Sequence, residues 1–221
     1  MDKKISVILP IRINEGWQEH MTDCCIKTMK ETTDIPYELV VVESKSNYYE
    51  VRKPLDIHID KYIHFPEPLT YSKEFNKGIE EASGDYIVHI GNDVFTRPGW
   101  LEALLECFRI EDCGVATLAS NDLKHQLADR IMEGIWTPLM MFINKWKFDE
   151  DFTGAFNDTE LIMRIYESGY RMYRNWKVVV IHLNQQTWGN TLTKEIHESR
   201  FNEAKNLFIQ KHMGSPLLVY R

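Results

Sequence analysis

Several side chains of this 221-residue chain stand where short apolar runs give out, and their types could share one piece of chemistry. Arg12 follows "ISVILPI", Glu43 closes "YELVVVE", Asp93 comes directly after "YIVHIGN", and His182 ends "KVVVIH". Asp158 opens the helix-periodic stretch "DTELIMRIYES". A carboxylate and an imidazole can hold a divalent cation between them, with diphosphate oxygens completing its shell. A second carboxylate fixed at the start of a helix is well presented to accept a proton. Each residue alone has a plainer explanation. Asp93 suits a turn with Gly91 and Asn92, His182 a hydrogen-bonded sheet edge, and Glu43 a solvated surface. Asn157-x-x-Glu160 fits a capping box. Their common position at strand ends is what argues for a site.

A glycine cradle for phosphate is absent. No G-x-G-x-x-G follows the first apolar run and no G-x-x-x-x-G-K-[ST] occurs anywhere. A phosphate-bearing ligand would therefore rely on a metal.

The elements that must position these groups are legible in the periodicity. Apolar runs predict strands over 5–10, 37–43, 61–65, 86–90, 114–118 and 177–182. Helical spacing is found over 17–30, 72–82, 99–109 and 158–168, the last closed by Gly169. A long amphipathic C-terminal helix is expected over 193–211, using Ile196, Phe201, Ala204, Leu207 and Phe208. Residues 121–147 lack clean periodicity but hold Trp136, Met140, Met141, Phe142 and Trp146. The first half thus alternates β-α-β-β-α-β-α. Its strands are nearly continuous apolar runs, as required when both sheet faces are covered. The expected architecture is α/β: a Rossmann-like, largely parallel central sheet with helices on both faces. Ligands bind such sheets at the carboxyl ends of the strands.

Composition agrees: 43% hydrophobic and 27% charged residues suit one globular domain. A net charge of −7 weighs against non-specific binding to nucleic acid. Cys24 and Cys25 are adjacent, and no C-x-x-C spacing occurs, so all four cysteines read as reduced, mostly core residues. The start enters a strand without a leader-like segment, and no apolar run approaches the length of a bilayer span. A cytoplasmic protein with no membrane span is expected.

Five segments, in order, resemble the family 2 glycosyltransferases of the GT-A fold. They are "ISVILPIRIN", "YELVVVESKS", "FNKGIEEASGDYIVHIGNDVFTRPGWLEALL", "FDEDFTGAFNDTELIMRIYESGYR" and "VVVIHL". The resemblance runs from about Ile5 to His182 and implies an inverting transferase. Such an enzyme moves a sugar from a nucleoside-diphosphate-sugar to an acceptor hydroxyl. It implies that Asp93, the last acid of the family's DxD motif, and His182 bind Mn2+ or Mg2+. Asp158 matches the aspartate of the Glu-Asp pair and would be the general base. Pro10, Ile11 and Arg12 would line the nucleobase pocket, Glu43 would reach base or ribose, and Asn76 and Asn92 would support the nucleotide side. Trp136 and Asn157 would face the acceptor, with Trp136 beside the cleft near Asp158. The chain would be a single GT-A domain: 1–120 binding the nucleotide-sugar, 121–192 the acceptor and catalytic half, 193–221 the helix and tail.

The departures are specific. DxD is reduced to Gly91-Asn92-Asp93, the Asp-Asp after the second strand is Glu43-Ser44, and Asn157 replaces the Glu of the pair. The Gly-Gly expected before "FDE" is Trp146-Lys147. The donor is expected to be a UDP-sugar, with GDP- or dTDP-sugars as alternatives. The acceptor could be a saccharide, a small molecule, a protein or modified nucleic acid. Two other functions compete. A sugar-nucleotide pyrophosphorylase would want a glycine-rich, basic loop after the first strand, where "PIRINEG" offers one Arg and one Gly. A non-catalytic nucleotide-sugar-binding module fits the reduced DxD but leaves Asp93, Asp158 and His182 without a reason.

Overall fold

A computed structural model describes residues 3–46, 59–121, 131–133, 138–153, 155–183 and 194–215. The elements in chain order are β1 (Ile5–Ile11), α1 (Gly16–Glu31), β2 (Glu38–Ser44), β3 (Lys61–Phe65), α2 (Tyr71–Glu81), β4 (Tyr86–Ile90) and β5 (Val94–Phe95). There follow α3 (Trp100–Cys107), β6 (Cys113–Ser120), β7 (Ile131–Glu133), β8 (Leu139–Ile143), α4 (Asn157–Glu167), β9 (Arg171–His182) and α5 (Lys194–His212). The strands join in the order β3-β2-β1-β4-β8-β6-β9-β5, with β7 on β9. Strands β1, β2, β3, β4, β6 and β9 run one way, and β5, β7 and β8 run against them. The sheet is therefore mostly parallel, as expected.

The two-residue period of the strands divides the core between the faces. Val7 and Leu9 of β1 pack with Cys25, Ile26 and Met29 of α1 and with Leu101 and Leu104 of α3. Ile8 faces the other way, with Phe75 and Ile79 of α2 and Leu161 and Ile165 of α4. Burying each of the larger side chains contributes about 1.5–3 kcal/mol, so helices on both faces are held by the sheet. Gly78 shows how close α2 lies: a Cβ there would come 2.3 Å from Ile8 Cγ2.

The stretch without periodicity is resolved differently from a helix. Residues 139–143 form β8, with Met140, Met141 and Phe142 fully buried between β4 and β6. A strand buried on both faces needs no alternation, which is why its sequence shows none. Trp136 lies outside the described residues. Strand β9 begins at Arg171, six residues before the expected start, because the polar Arg174 and Asn175 are buried within it.

Helix α5 forms where expected but does not enter the sheet core. Ile196 and Phe201 are 44% and 43% exposed, and Ala204, Leu207, Phe208 and Ile209 are only partly covered. Its rings lean instead on Phe156, with centroids 5.2 Å (Phe201) and 5.4 Å (Phe208) away. Lys211 pairs with Asp149 and Asp151, and His212 with Glu167. Among the described residues no helix is long and apolar enough to cross a membrane.

The topology itself marks a ligand crevice. From β1 the chain moves outward to β2 and β3, then returns to the other side of β1 as β4. That reversal is the point at which parallel sheets bind ligands. Pairing of β1 with β4 stops at Ile8–His89, whereas pairing with β2 continues to Ile11–Glu43. Past Ile8 the two strands part, and the rim opens there.

Candidate active site at the carboxyl ends of the strands

Asp93 and His182 are brought together by the shortest strand. The turn after β4 leads into β5, whose Val94 pairs with His182 and whose Phe95 pairs with Ile181. The Leu183 N–H donates to the Asp93 carbonyl across 3.0 Å, which locks the crossing. As a result Asp93 Oδ2 stands 3.6 Å from His182 Nε2, both side chains being about nine-tenths buried. Two ligands held at about 2.1 Å and at right angles stand roughly 3 Å apart, so a small rotation brings both onto one cation. Among the described residues no third His, Cys, Asp or Glu joins them, so diphosphate and water oxygens would have to complete the shell. The pair fits such an ion. Gly91 bears on it directly, because a Cβ there would lie 2.9 Å from Asp93 Oδ1.

Of the expected nucleotide-side residues, Pro10, Ile11, Arg12, Glu43 and Asn92 follow or end β1, β2 and β4 at the same rim, most of them already engaged, whereas Asn76 lies midway along α2. Pro10 and Ile11 are buried at the end of β1. The Arg12 guanidinium donates to the Ser44 carbonyl and hydroxyl, to the Leu69 carbonyl and, at 3.0 Å, to Glu74. It thereby ties β1, β2 and the start of α2 into one corner. Burial pushes the Glu74 carboxyl up to about 7, against the opposing pull of the Ser44 hydroxyl and Arg12. Glu43 is not solvated: it is 1% exposed, and its carboxylate accepts from the Tyr62 hydroxyl and meets His64 Nδ1 at 3.0 Å. Asn92 donates to Thr22 Oγ1 of α1 at 3.1 Å. Asn76 points its amide at the segment before α4, giving and receiving bonds with the Phe148 backbone at 2.9 and 2.8 Å and donating to Glu150.

Asp158 is the second residue of α4, where a negative charge is favoured by the helix dipole. Its Oδ1 accepts from the Thr159 N–H at 2.8 Å. The capping box expected from Asn157 and Glu160 does not form. Phe156 is the cap residue, in a left-handed conformation at φ 62°, and makes no side-chain cap. Glu160 is held by Arg164 through two bonds of 2.7 and 2.8 Å. Asn157 instead donates from Nδ2 to Ser72 Oγ (2.8 Å) and to the Phe152 carbonyl (3.0 Å). The start of α4 is thereby fastened to the start of α2, which faces the rim because α2 follows the carboxyl end of β3.

One residue at this junction has no signal in the sequence. Tyr71, the first residue of α2, meets His89 Nε2 with its hydroxyl at 2.7 Å. Burial, then the charges of Asp158, Asp93 and Glu74, push its phenol well above the usual range. The charges of all three carboxylates thus oppose ionisation of this one hydroxyl. Tyr71 could have been found only through the packing of α2 against β4.

A model of glycosyl transferase family 2 matches residues 6–147. That match stops before Asp158 and His182, which stand on geometry. A Methanococcus voltae protein named dolichyl N-acetyl-alpha-D-glucosaminyl phosphate 3-beta-D-2,3-diacetamido-2,3-dideoxy-beta-D-glucuronosyltransferase is 22% identical over 252 residues, which span 94% of this chain and 74% of that protein. The structure of S. aureus TarS 1–349 in complex with UDP-GlcNAc superposes with a TM-score of 0.71 at 14% identity, covering 97% of this chain and 68% of its own. The mannosyltransferase PcManGT from Pyrobaculum calidifontis, in complex with GDP-Man and Mn2+, gives 0.69 at 16% identity, covering 96% and 65%. At these identities the structural likeness speaks to the fold, which is GT-A.

Proposed function

From the premise that the chain belongs to glycosyl transferase family 2, we propose that it moves a sugar, with inversion, from a nucleoside-diphosphate-sugar to an acceptor hydroxyl. The observation that carries this reading is the approach of Asp93 Oδ2 to His182 Nε2, 3.6 Å apart at the carboxyl ends of the strands, beside the reversal of strand order. Asp93 and His182 would hold Mn2+ or Mg2+, which when bound supplies Lewis-acid neutralisation of the departing diphosphate. Asp158 takes the proton of the attacking hydroxyl, a contribution of roughly 10²–10⁴-fold in rate. Attack comes from the face opposite the leaving diphosphate, so the anomeric configuration inverts. Asn157 fixes the base rather than contacting the acceptor, since its amide is engaged by Ser72 and Phe152.

The donor is a UDP- or GDP-sugar. The TarS and PcManGT structures, with UDP-GlcNAc and GDP-Man, support these two over a dTDP-sugar. The Methanococcus voltae relative is named for a dolichyl N-acetylglucosaminyl phosphate, which makes a lipid-linked saccharide the first acceptor to try. The test is a thermal-shift and calorimetric screen of UDP, GDP and dTDP, each with Mn2+ or EDTA, followed by donor turnover. A protein that binds none of the three nucleotides in Mn2+ would refute the reading.

A further inference from the structure

We propose that α5 is a clamp across the turn at Phe156, holding the backbone from which α4 presents Asp158, and that Phe208 is a positioning residue in it. The proposal rests on the reading of Asp158 as the general base.

Phe156 has a conformation that needs holding. At φ 62° it lies in the left-handed region, which among the described residues only Lys45 shares outside glycine. There a Cβ crowds the backbone, so a bulky side chain stays only where its surroundings enforce it. This is also the turn from which α4 starts. The Glu160 N–H donates to the Phe156 carbonyl at 2.8 Å and closes the first helical turn. Asn157, through Ser72 and the Phe152 carbonyl, fixes where the helix begins. The dihedral angles of Phe156 fix the direction in which it leaves, and with it the aim of Asp158.

Helix α5 grips both the ring of Phe156 and the chain on either side of it. The rings of Phe201 and Phe208 lie 5.2 and 5.4 Å from that of Phe156, centroid to centroid. Before the turn, Lys211 pairs with Asp149 and, at 2.7 Å, with Asp151, and it stands 5.5 Å over the Phe152 ring. Beyond the turn, His212 Nδ1 meets Glu167 at 3.1 Å, and Nε2 lies 3.7 Å from Glu160. Phe208 packs on His212 at 4.8 Å, which joins the ring contacts to the polar ones. A helix that served only to cover the core would seat its apolar residues there. Ile196 and Phe201 instead remain 44% and 43% exposed, while the ties of α5 converge on this turn.

The test compares wild type with Phe208→Ala, Phe156→Ala, Phe156→Gly and the double variant Phe156→Gly/Phe208→Ala. Amide hydrogen exchange at Glu160 reads the turn. Release of UDP from UDP-GlcNAc or GDP from GDP-mannose in Mn2+, with water as acceptor, reads the base. Calorimetry with UDP and GDP reads the donor end, and melting temperature is recorded for each protein. Both Phe156 variants lose the ring, but only alanine keeps the penalty of the left-handed region. Phe208→Ala and Phe156→Ala should exchange Glu160 faster and release nucleotide more slowly, each by roughly tenfold, with nucleotide affinity within about twofold of wild type. Phe156→Gly should lose less than Phe156→Ala, and adding Phe208→Ala to it should cost little more. Rings that merely buried surface would make alanine and glycine lose alike. Equal exchange and release in Phe156→Ala and Phe156→Gly, or wild-type exchange at Glu160 in Phe208→Ala, would overturn the proposal. Faster exchange with unchanged release would also overturn it, leaving α5 a support with no part in presenting the base. Unimpaired release by Asp158→Asn, run alongside, would instead remove the reading of Asp158 as base, and a wild-type protein that binds no nucleotide would remove the glycosyltransferase reading.

Discussion

His182 Nε2 reaches Asp93 Oδ2 at 3.6 Å although the two residues are far apart in the chain, because Val94 and His182 are partners in a two-residue strand pair. Among the described residues no third His, Cys, Asp or Glu joins them, so the proposed cation would rest on this pair. Asp93→Ala should therefore abolish the dependence of UDP or GDP binding on Mn2+. Titration of each nucleotide in Mn2+ and in EDTA checks this. Equal wild-type affinity in the two buffers would show that no cation takes part.

Gly91 leaves room for the Asp93 carboxylate, whose Oδ1 would lie 2.9 Å from an added Cβ. The obstruction is the tip of a side chain, so Gly91→Ala should fold normally while turning Asp93 away from His182. The expected result is a loss of about tenfold or more in Mn2+-dependent nucleotide affinity, the size of effect seen when a ligand's orientation is disturbed. A melting temperature that falls while Mn2+ dependence stays intact would contradict this.

Asp158→Asn should keep donor binding and lose transfer. Phe156 rather than Asp158 caps α4, and an Asn oxygen can still accept from the Thr159 N–H. The cost in stability is confined to the lost charge at the helix start, about 0.3–1 kcal/mol. Transfer rate should fall by roughly 10²-fold or more. A purified variant retaining more than about a tenth of wild-type turnover would exclude Asp158 as the base.

Glu74 gives the corner at Arg12 a pH dependence. Its carboxyl titrates near 4.5 in the unfolded chain and at about 7 in the fold. Between these values the folded state keeps a proton that the unfolded state has released, so stability falls as pH rises through the window and levels off above it. The total is up to roughly 3 kcal/mol. Glu74→Gln should remove the slope, so that its stability relative to wild type is greater at pH 7.5 than at pH 4.5. Urea unfolding at both pH values measures this, and an equal difference at the two would disprove it.

How much of the molecule was legible beforehand depended on whether the signal was local. Strands β1, β3 and β4 and helices α1, α2, α3 and α4 announce themselves by apolar runs or helical spacing, because each buries a face of its own. The placement of Asp93 and His182 at strand ends was legible for the same reason. Strand β8 was not, since burial on both sides erases alternation, and β5 was not, since two residues carry no period.

The sequence by itself determined the parallel sheet, the helices on its two faces, the family, and the candidates Asp93, Asp158 and His182. The sheet, the helices and the strand-end positions follow from residue type and spacing along the chain; the family came from the resemblance of five segments to it. Only the tertiary structure decided which groups are already engaged: Glu43 with Tyr62 and His64, Asn76 with Phe148, and Asn157 with Ser72 rather than with its own helix end. It alone put the Tyr71 hydroxyl on His89 Nε2. The reason is physical. Burial and periodicity act on neighbours in sequence, whereas a hydrogen bond between α2 and β4 exists only once the sheet has brought them together.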